Sequence, residues 1–235
     1  MKYKLTNETM ITDSGILLHR IECLTSFGNV KVGDKGGWIE SETNLSQDGE
    51  CWVYDNAKVC GNAKVYGDAL VYDDALVYGS AEVYGDAEVC GDVEVCGNAW
   101  VCGDAWVCEN AKVYENAEVC GNAKVYGCAE VYGSAKVCEN AKVCENAKVC
   151  ENAFVYGNVN ISGNAKVRYN DDYIVFKNWW SSGRYFTWTK SNNMWKVGCF
   201  YGTSEELIKK AYADSEKIGR EYERVVKYVQ SILED

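Results

Sequence analysis

The chain has 235 residues, 47% of them hydrophobic and none of them proline, enough for one good-sized core or two to three small units. Its formal charge of −11 divides into −3 over residues 1–51, −9 over 52–167, +3 over 168–201 and −2 over 202–235. So acidic a middle repels phosphate backbones and favours basic partners, which leaves the short basic stretch as the place where nucleic acid would bind. No run of 18 apolar residues and no basic-then-apolar leader occurs, so no membrane contact is expected and the chain reads as soluble and cytoplasmic. Thirteen cysteines are an odd number, and nine occupy one recurrent position in alternation with Tyr, which reads as free thiols in a reducing compartment.

Residues 1–51 carry strand-like stretches at 2–5 and 16–21, then Val30-Lys31-Val32, a Gly36-Gly37 turn and Trp38-Ile39. They predict a small β cap, since an open stack of strands needs its unpaired end covered. His19, the one histidine, falls in this cap and carries no expected role beyond an ordinary surface or half-buried one.

From residue 52 to 168 the chain repeats every six residues. Val53, Val59, Val65 and so on to Val167 keep the register through twenty positions, with Ile161 the one exception. Four residues after each but the last comes Ala, replaced by Val only at Val93 and Val159. Strand alternation sends Val inward and its neighbours outward, Gly beside Asn or Asp turns a corner, and Ala returns to the interior where little room remains. A period of six with β-branched residues and paired Gly-Asn excludes a helix.

This pattern, Ala57 two residues before Val59 and onward, resembles that of the hexapeptide-repeat, left-handed β-helix proteins. The resemblance implies triangular coils of three hexapeptides, with residue n stacked on n+18. Twenty repeats then make six to seven coils, a rod about 30 Å long at ~4.8 Å per rung. The fold class expected is mainly β: a single-stranded left-handed β-helix over 52–168, the N-terminal β cap over 1–51 and a C-terminal α+β domain over 169–235.

Stacking at n+18 puts Glu94, Lys112, Glu130 and Lys148 in one outward column, with Lys64 below Glu82 and Glu118 below Lys136. The position after each Val forms Tyr/Cys columns that include Tyr66 over Tyr84 and Tyr114 over Tyr132. These read either as packing ladders or as a sticky face, the latter strengthened by outward Trp100, Trp106, Leu70, Leu76 and Phe154. Asp68, Asp86 and Asp104 share a corner column, read as solvated turn residues or as a Ca²⁺ ladder. Cys102, Cys120 and Cys138 share another, without a C-x-x-C pair or a histidine nearby to make a metal site. The family includes acyltransferases that present a histidine between coils, and γ-class carbonic anhydrases that need three; the repeat contains none. No catalytic set, cofactor motif or metal site is expected.

Beyond Arg168 three alternating stretches, 173–180, 184–190 and 194–201, predict an antiparallel meander. Thr203 with Glu206 forms a capping box for a helix at 204–213, and a second helix aligns Ile218, Tyr222, Val225, Val226, Val229, Ile232 and Leu233. The Trp and Tyr of the meander, beside Lys177, Arg184, Lys190 and Lys196, either stack on RNA bases or form a core from which the cations reach to solvent. Tyr222 and Val229 are alternatively a seam for a homo-oligomer.

The segments Leu17-His19-Arg20-Ile21, Phe27-Gly28, Val30, Gly33-Asp34, Gly36-Gly37-Trp38-Ile39 and Asn44-Leu45-Ser46, with Gly198-Cys199-Phe200 and Gly202-Thr203, resemble a group of prophage-encoded bacterial proteins without established activity. The resemblance spans nearly the whole chain. No catalytic or binding residue carries over from it; the acidic rod and the lack of catalytic groups, with the prophage resemblance, lead to the expectation of a non-catalytic protein of the bacterial cytoplasm that binds and blocks a host protein, such as a CRISPR or other defence nuclease, through a rigid acidic surface. The residues expected to form that surface are Trp100, Trp106, Tyr66, Tyr84, Tyr114, Tyr132, Glu82, Glu88 and Glu94, with Arg184, Lys190 and Lys196 beyond the rod. A self-assembling scaffold and an acyltransferase are the competing readings.

Overall fold

The computed structural model describes residues 1–179 and 182–234. Twenty two-residue strands, β4 (Trp52–Val53) to β23 (Lys166–Val167), stand one per hexapeptide and build a left-handed β-helix of about seven coils. Every pairing among these twenty strands is parallel and offset by 18 residues, for example Glu94 with Lys112 and Val95 with Val113. Val95, Val113 and Val131 lie one above another and are fully buried, as are the alanines at the corners. The shaft is narrow, and only β-branched and methyl side chains fill it without strain.

Positive φ at each corner is what keeps the coil triangular. Gly occupies most of these positions, such as Gly97 at φ 72°, but Asp73, Glu109 and Glu115 adopt the same backbone at 59°, 64° and 62°. Their carboxylates accept the backbone N–H of the next coil's corner: Asp73 from Gly91 at 3.0 Å, Glu109 from Gly127 and Glu115 from Gly133, both at 2.8 Å. A hydrogen bond to an otherwise unpaired donor offsets the left-handed backbone cost of roughly 1–2 kcal/mol.

The N-terminal segment holds β1 (Tyr3–Ile11), β2 (Leu17–Cys23) and β3 (Lys35–Ile39), and it is continuous with the rod. β1 and β2 pair antiparallel, β3 pairs with β2, and β3 runs parallel to β5 (Lys58–Val59) with Ile39 beside Val59. Leu45 bridges to Val65. Ile39, Leu45 and Val53 are thus three sides of an extra coil, spaced six and then eight residues apart. Gly36-Gly37 is not a turn but part of β3, and Val30 to Val32 is not a strand. A Cβ on Gly36 would come within 2.5 Å of the Val53 carbonyl oxygen, and one on Gly37 within 2.6 Å of that of Ala57, so bare backbone is what lets the cap seat on the first coil. Lys2 closes the assembly from below, its buried ammonium donating to the Cys51 carbonyl at 2.9 Å.

The other end is closed by side chains. The leading N–H groups of the last three strands, at Phe154, Asn160 and Lys166, donate to Asn170 Oδ1 (2.8 Å), Thr187 Oγ1 (3.1 Å) and Ser191 Oγ (2.7 Å). These bonds satisfy the donors to which a further strand would otherwise add.

The C-terminal sheet has four strands where three stretches suggested three: β24 (Tyr173–Lys177), β25 (Tyr185–Thr189), β26 (Met194–Val197) and β27 (Phe200–Gly202), in that order and antiparallel. Gly198, at φ 58°, turns the chain between the last two. Trp180 and Ser181, expected at the end of the first stretch and in its turn, lie outside the described residues. α1 (Ser204–Asp214) carries the expected box, with Thr203 N donating to Glu206 Oε2 at 2.9 Å and Glu206 N to Thr203 Oγ1 at 3.3 Å. α1 and α2 (Glu216–Glu234) pack on one face of the sheet, burying Phe186, Trp188, Trp195 and Tyr222 together. Those rings are core and are not available to stack on bases. Tyr222 and Val229 lie inside the same cluster rather than on a free seam, and the apolar residues α2 leaves exposed are Tyr228, Ile232 and Leu233.

Candidate functional site

The outward residue before each Val sorts the rod into three faces. The first carries Glu94, Lys112, Glu130 and Lys148 in the expected alternation, with ion pairs Lys112–Glu94 at 3.0 Å and Lys148–Glu130 at 2.7 Å. Burial works against the Glu130 carboxylate, but hydrogen bonds from Lys148 and Tyr114 outweigh it and hold its pKa below the usual value. The second face carries Glu82, Trp100 and Glu118, where Glu118 pairs Lys136 at 2.6 Å and Glu82 accepts from the Tyr66 hydroxyl at 2.7 Å. Trp100 is 47% exposed with Glu on both sides of it.

The third face is different. Its outward column reads Leu70, Glu88, Trp106, Lys124, Lys142, Asn160, and the corner leading into it reads Glu50, Asp68, Asp86, Asp104, then Asn122, Asn140, Asn158. The corner leaving it adds Asp55, Asp73, Asp74, Asp92, Glu109 and Glu145, whereas the opposite corner of the triangle has only Glu115 and Glu151. Glu139 precedes Asn140 on the leading corner, so most but not all of the acid lies around the first coils of this face, and its amines, Lys124 and Lys142, lie around the later ones. Among the described residues Glu50, Asp68, Asp86, Glu88 and Asp104 make no ion pair.

Three clefts run along this face. One of about 300 Å³ is lined by Phe27, Tyr54, Leu70, Glu50, Asp68, Asp86 and Glu88. The next, about 500 Å³, shares Asp86 and Glu88 and continues to Asp104, Trp106 and Lys124. The Lys124 ammonium sits 5.1 Å from the Trp106 ring, which marks the change of sign. The last, about 360 Å³, holds Lys142, Arg184 and Lys196. Asp68, Asp86 and Asp104 form a ladder of one carboxylate per coil, about 4.8 Å apart. Asp68 is already used by the Glu50 N–H at 2.8 Å, and no set of three His, Cys, Asp or Glu among the described residues is placed to hold a metal ion.

The expected surface residues are dispersed. Glu94, Tyr114 and Tyr132 belong to the first face and the corner after it, Glu82, Trp100, Tyr66 and Tyr84 to the second face and its following corner, and Glu88 and Trp106 to the third. Arg184 and Lys196 join the third face at its far end. Lys190 is exposed in the turn beyond β25, its N–H bonded to the Asp172 carbonyl.

Within the Tyr/Cys columns the side chains pack on one another from coil to coil. Tyr66 stacks on Tyr84 and Tyr114 on Tyr132, both with centroids 4.9 Å apart. Wherever Tyr precedes Cys by one coil, as in Tyr72–Cys90, Tyr78–Cys96, Tyr84–Cys102, Tyr126–Cys144 and Tyr132–Cys150, burial and the neighbouring thiol together push the phenol's pKa up, while the Tyr72 hydroxyl itself donates to Glu88 Oε2 at 2.9 Å. All thirteen thiols are free, and Cys120 and Cys138 stand 2.7 Å apart with both pKa values pushed up, chiefly by burial.

His19 lies in β2 with Nδ1 3.4 Å from the Thr6 carbonyl oxygen and lines none of the three clefts. No helix is long and apolar enough to cross a membrane among the described residues.

Compared with known proteins, the chain matches no family model. Over 61 residues it is 39% identical to "Uncharacterized acetyltransferase YdcK" of Escherichia coli (strain K12), a stretch that covers 23% of this chain and 19% of that protein. Coil geometry and this partial likeness together make the chain a hexapeptide-repeat β-helix protein.

Proposed function

We propose that the chain is a non-catalytic binding protein whose third face docks on a basic partner. The partner surface is one that normally holds a phosphate backbone, as on a host defence nuclease blocked by a phage-derived inhibitor. One observation carries this reading: carboxylates without ion pairs are concentrated around the first coils of a single face, over a floor of Leu70 and Trp106, while Glu94, Glu118 and Glu130 on the other faces are paired with Lys. A ladder of charges at fixed rung spacing steers a basic surface and costs little ordering entropy on binding.

Affinity capture from bacterial lysate tests it with three baits. The native chain and a control with Glu94→Gln and Glu130→Gln retain the same partner, whereas Asp68→Asn, Asp86→Asn, Glu88→Gln and Asp104→Asn together release it. The retained partner binds nucleic acid, and the native chain competes with that binding in a salt-dependent way. Equal capture by all three baits, or no partner at low salt, rejects the proposal.

The likeness to a protein named an acetyltransferase favours a second reading, acyl transfer. Release of free coenzyme A from an acyl-CoA by purified chain would establish it over the first.

A further inference from the structure

The third cleft differs from everything else on this acidic molecule. We propose that it binds a nucleoside monophosphate. It lies where β25 and β26 meet the last coils, a junction fixed by the Asn160 N–H bond to Thr187. Lys142 comes from the solenoid, Arg184 precedes β25 and Lys196 comes from β26, so two separate parts of the chain converge on one space. No carboxylate lines it, and none of these three cations makes an ion pair among the described residues. Glu139, which precedes Asn140, is not one of the lining residues; its carboxylate stands beside Gly157, at the rim of the cleft next to Asn158.

Three cations without ion-pair partners call for a compact, multiply charged anion, and a guanidinium fork with two ammonium groups suits a phosphate dianion. Lys142 also stands next to Lys124 in register, a like-charge contact whose repulsion such an anion would relieve. The remaining lining is neutral and hydrogen-bonding: Asn140, Asn158 and Asn160, with the ring of Tyr185. Each amide offers a donor and an acceptor, the complement of a base edge, and the ring provides an aromatic wall. A space of about 360 Å³ suits one nucleotide. A longer strand leaving it along the face would meet the carboxylates of Asp104, Glu88 and Asp86, which repel phosphate.

Calorimetric titration of the full chain with AMP, CMP, GMP and UMP tests the proposal, with inorganic phosphate, adenosine and a single-stranded RNA decamer as comparison probes. At least one monophosphate is expected to bind with Kd below about 1 mM, at least tenfold tighter than inorganic phosphate or adenosine. Arg184→Gln and Lys196→Gln are each expected to weaken it about tenfold, the loss of one charge-assisted hydrogen bond, at an unchanged unfolding midpoint. The Asp68, Asp86, Glu88 and Asp104 variant of the docking face should keep full nucleotide affinity, which separates this site from the protein-binding reading. Absence of binding by all four nucleotides overturns the proposal, as does affinity no better than that for inorganic phosphate. Tighter binding of the RNA decamer assigns the cleft to a strand and overturns it too, and unaltered binding in both cation variants removes the ligand from this cleft.

Discussion

The rod and the C-terminal unit solve the same problem, burial of apolar surface, in opposite ways. In the rod the core is Val and Ala at fixed intervals, each coil touching only the coil above and below, so stability is spread in small equal parts. In the C-terminal unit a few large rings do most of the burying: Phe186 meets Tyr222 at 4.6 Å and Trp195 at 6.4 Å, both edge to face. An evenly distributed core leaves the outside free to vary column by column, which lets one face be acidic at one end and basic at the other. A core concentrated in a few rings leaves its own sheet one exposed side, and that side closes the rod.

Removing one of those rings gives the largest effect. Trp195→Ala should cost about 3–5 kcal/mol, because Trp195 is fully buried and its Nε1–H donates to Ser204 Oγ at 3.0 Å. Urea unfolding followed by helical circular dichroism should then show the C-terminal unit melting before the rod; a single unshifted transition would break the comparison. Val113→Ala should cost about 2 kcal/mol, and Val95→Ala and Val131→Ala the same within about 0.5 kcal/mol, since all three occupy equivalent rungs. Unequal losses along that column would mean that the coils are not energetically alike.

The smallest effect is alkaline. Burial and the hydrogen bond to Glu82 push the Tyr66 phenol up to about 12, and the Cys150 thiol with burial does the same to Tyr132. A raised phenol pKa means that the fold favours the neutral form, so this contribution is intact below the ordinary value of 10.0 and is lost as pH rises through about 12. Tyrosinate absorbance should register the late titration, and Cys150→Ala should bring Tyr132 down towards its ordinary value while leaving Tyr66 unchanged.

Most of the rod was legible from Val53 onward, because a strict period of six admits one inward residue per side. The extra coil at Ile39, Leu45 and Val53 is not legible in the repeat because its spacing is six and then eight. Gly36-Gly37 resembled a turn because a Gly pair has two uses, and only the backbone oxygens of Val53 and Ala57 decide that this pair serves close approach. The polarised face did have a sequence signal. Reading the corner at n+18, from Glu50 through Asp104 to Asn122 and Asn158, shows charge giving way to amide. The aromatic and Glu positions taken singly carry no such trend, and they lie on all three faces.

What the sequence determined by itself is which side chains point in and which point out, since alternation along a strand and positive φ at a corner are properties of neighbouring residues. Only the tertiary structure decided which outward residues share a cleft. Lys142 meets Arg184 and Lys196 because the sheet folds back on the last coil through Thr187 and Ser191, a contact between distant segments that no local periodicity encodes.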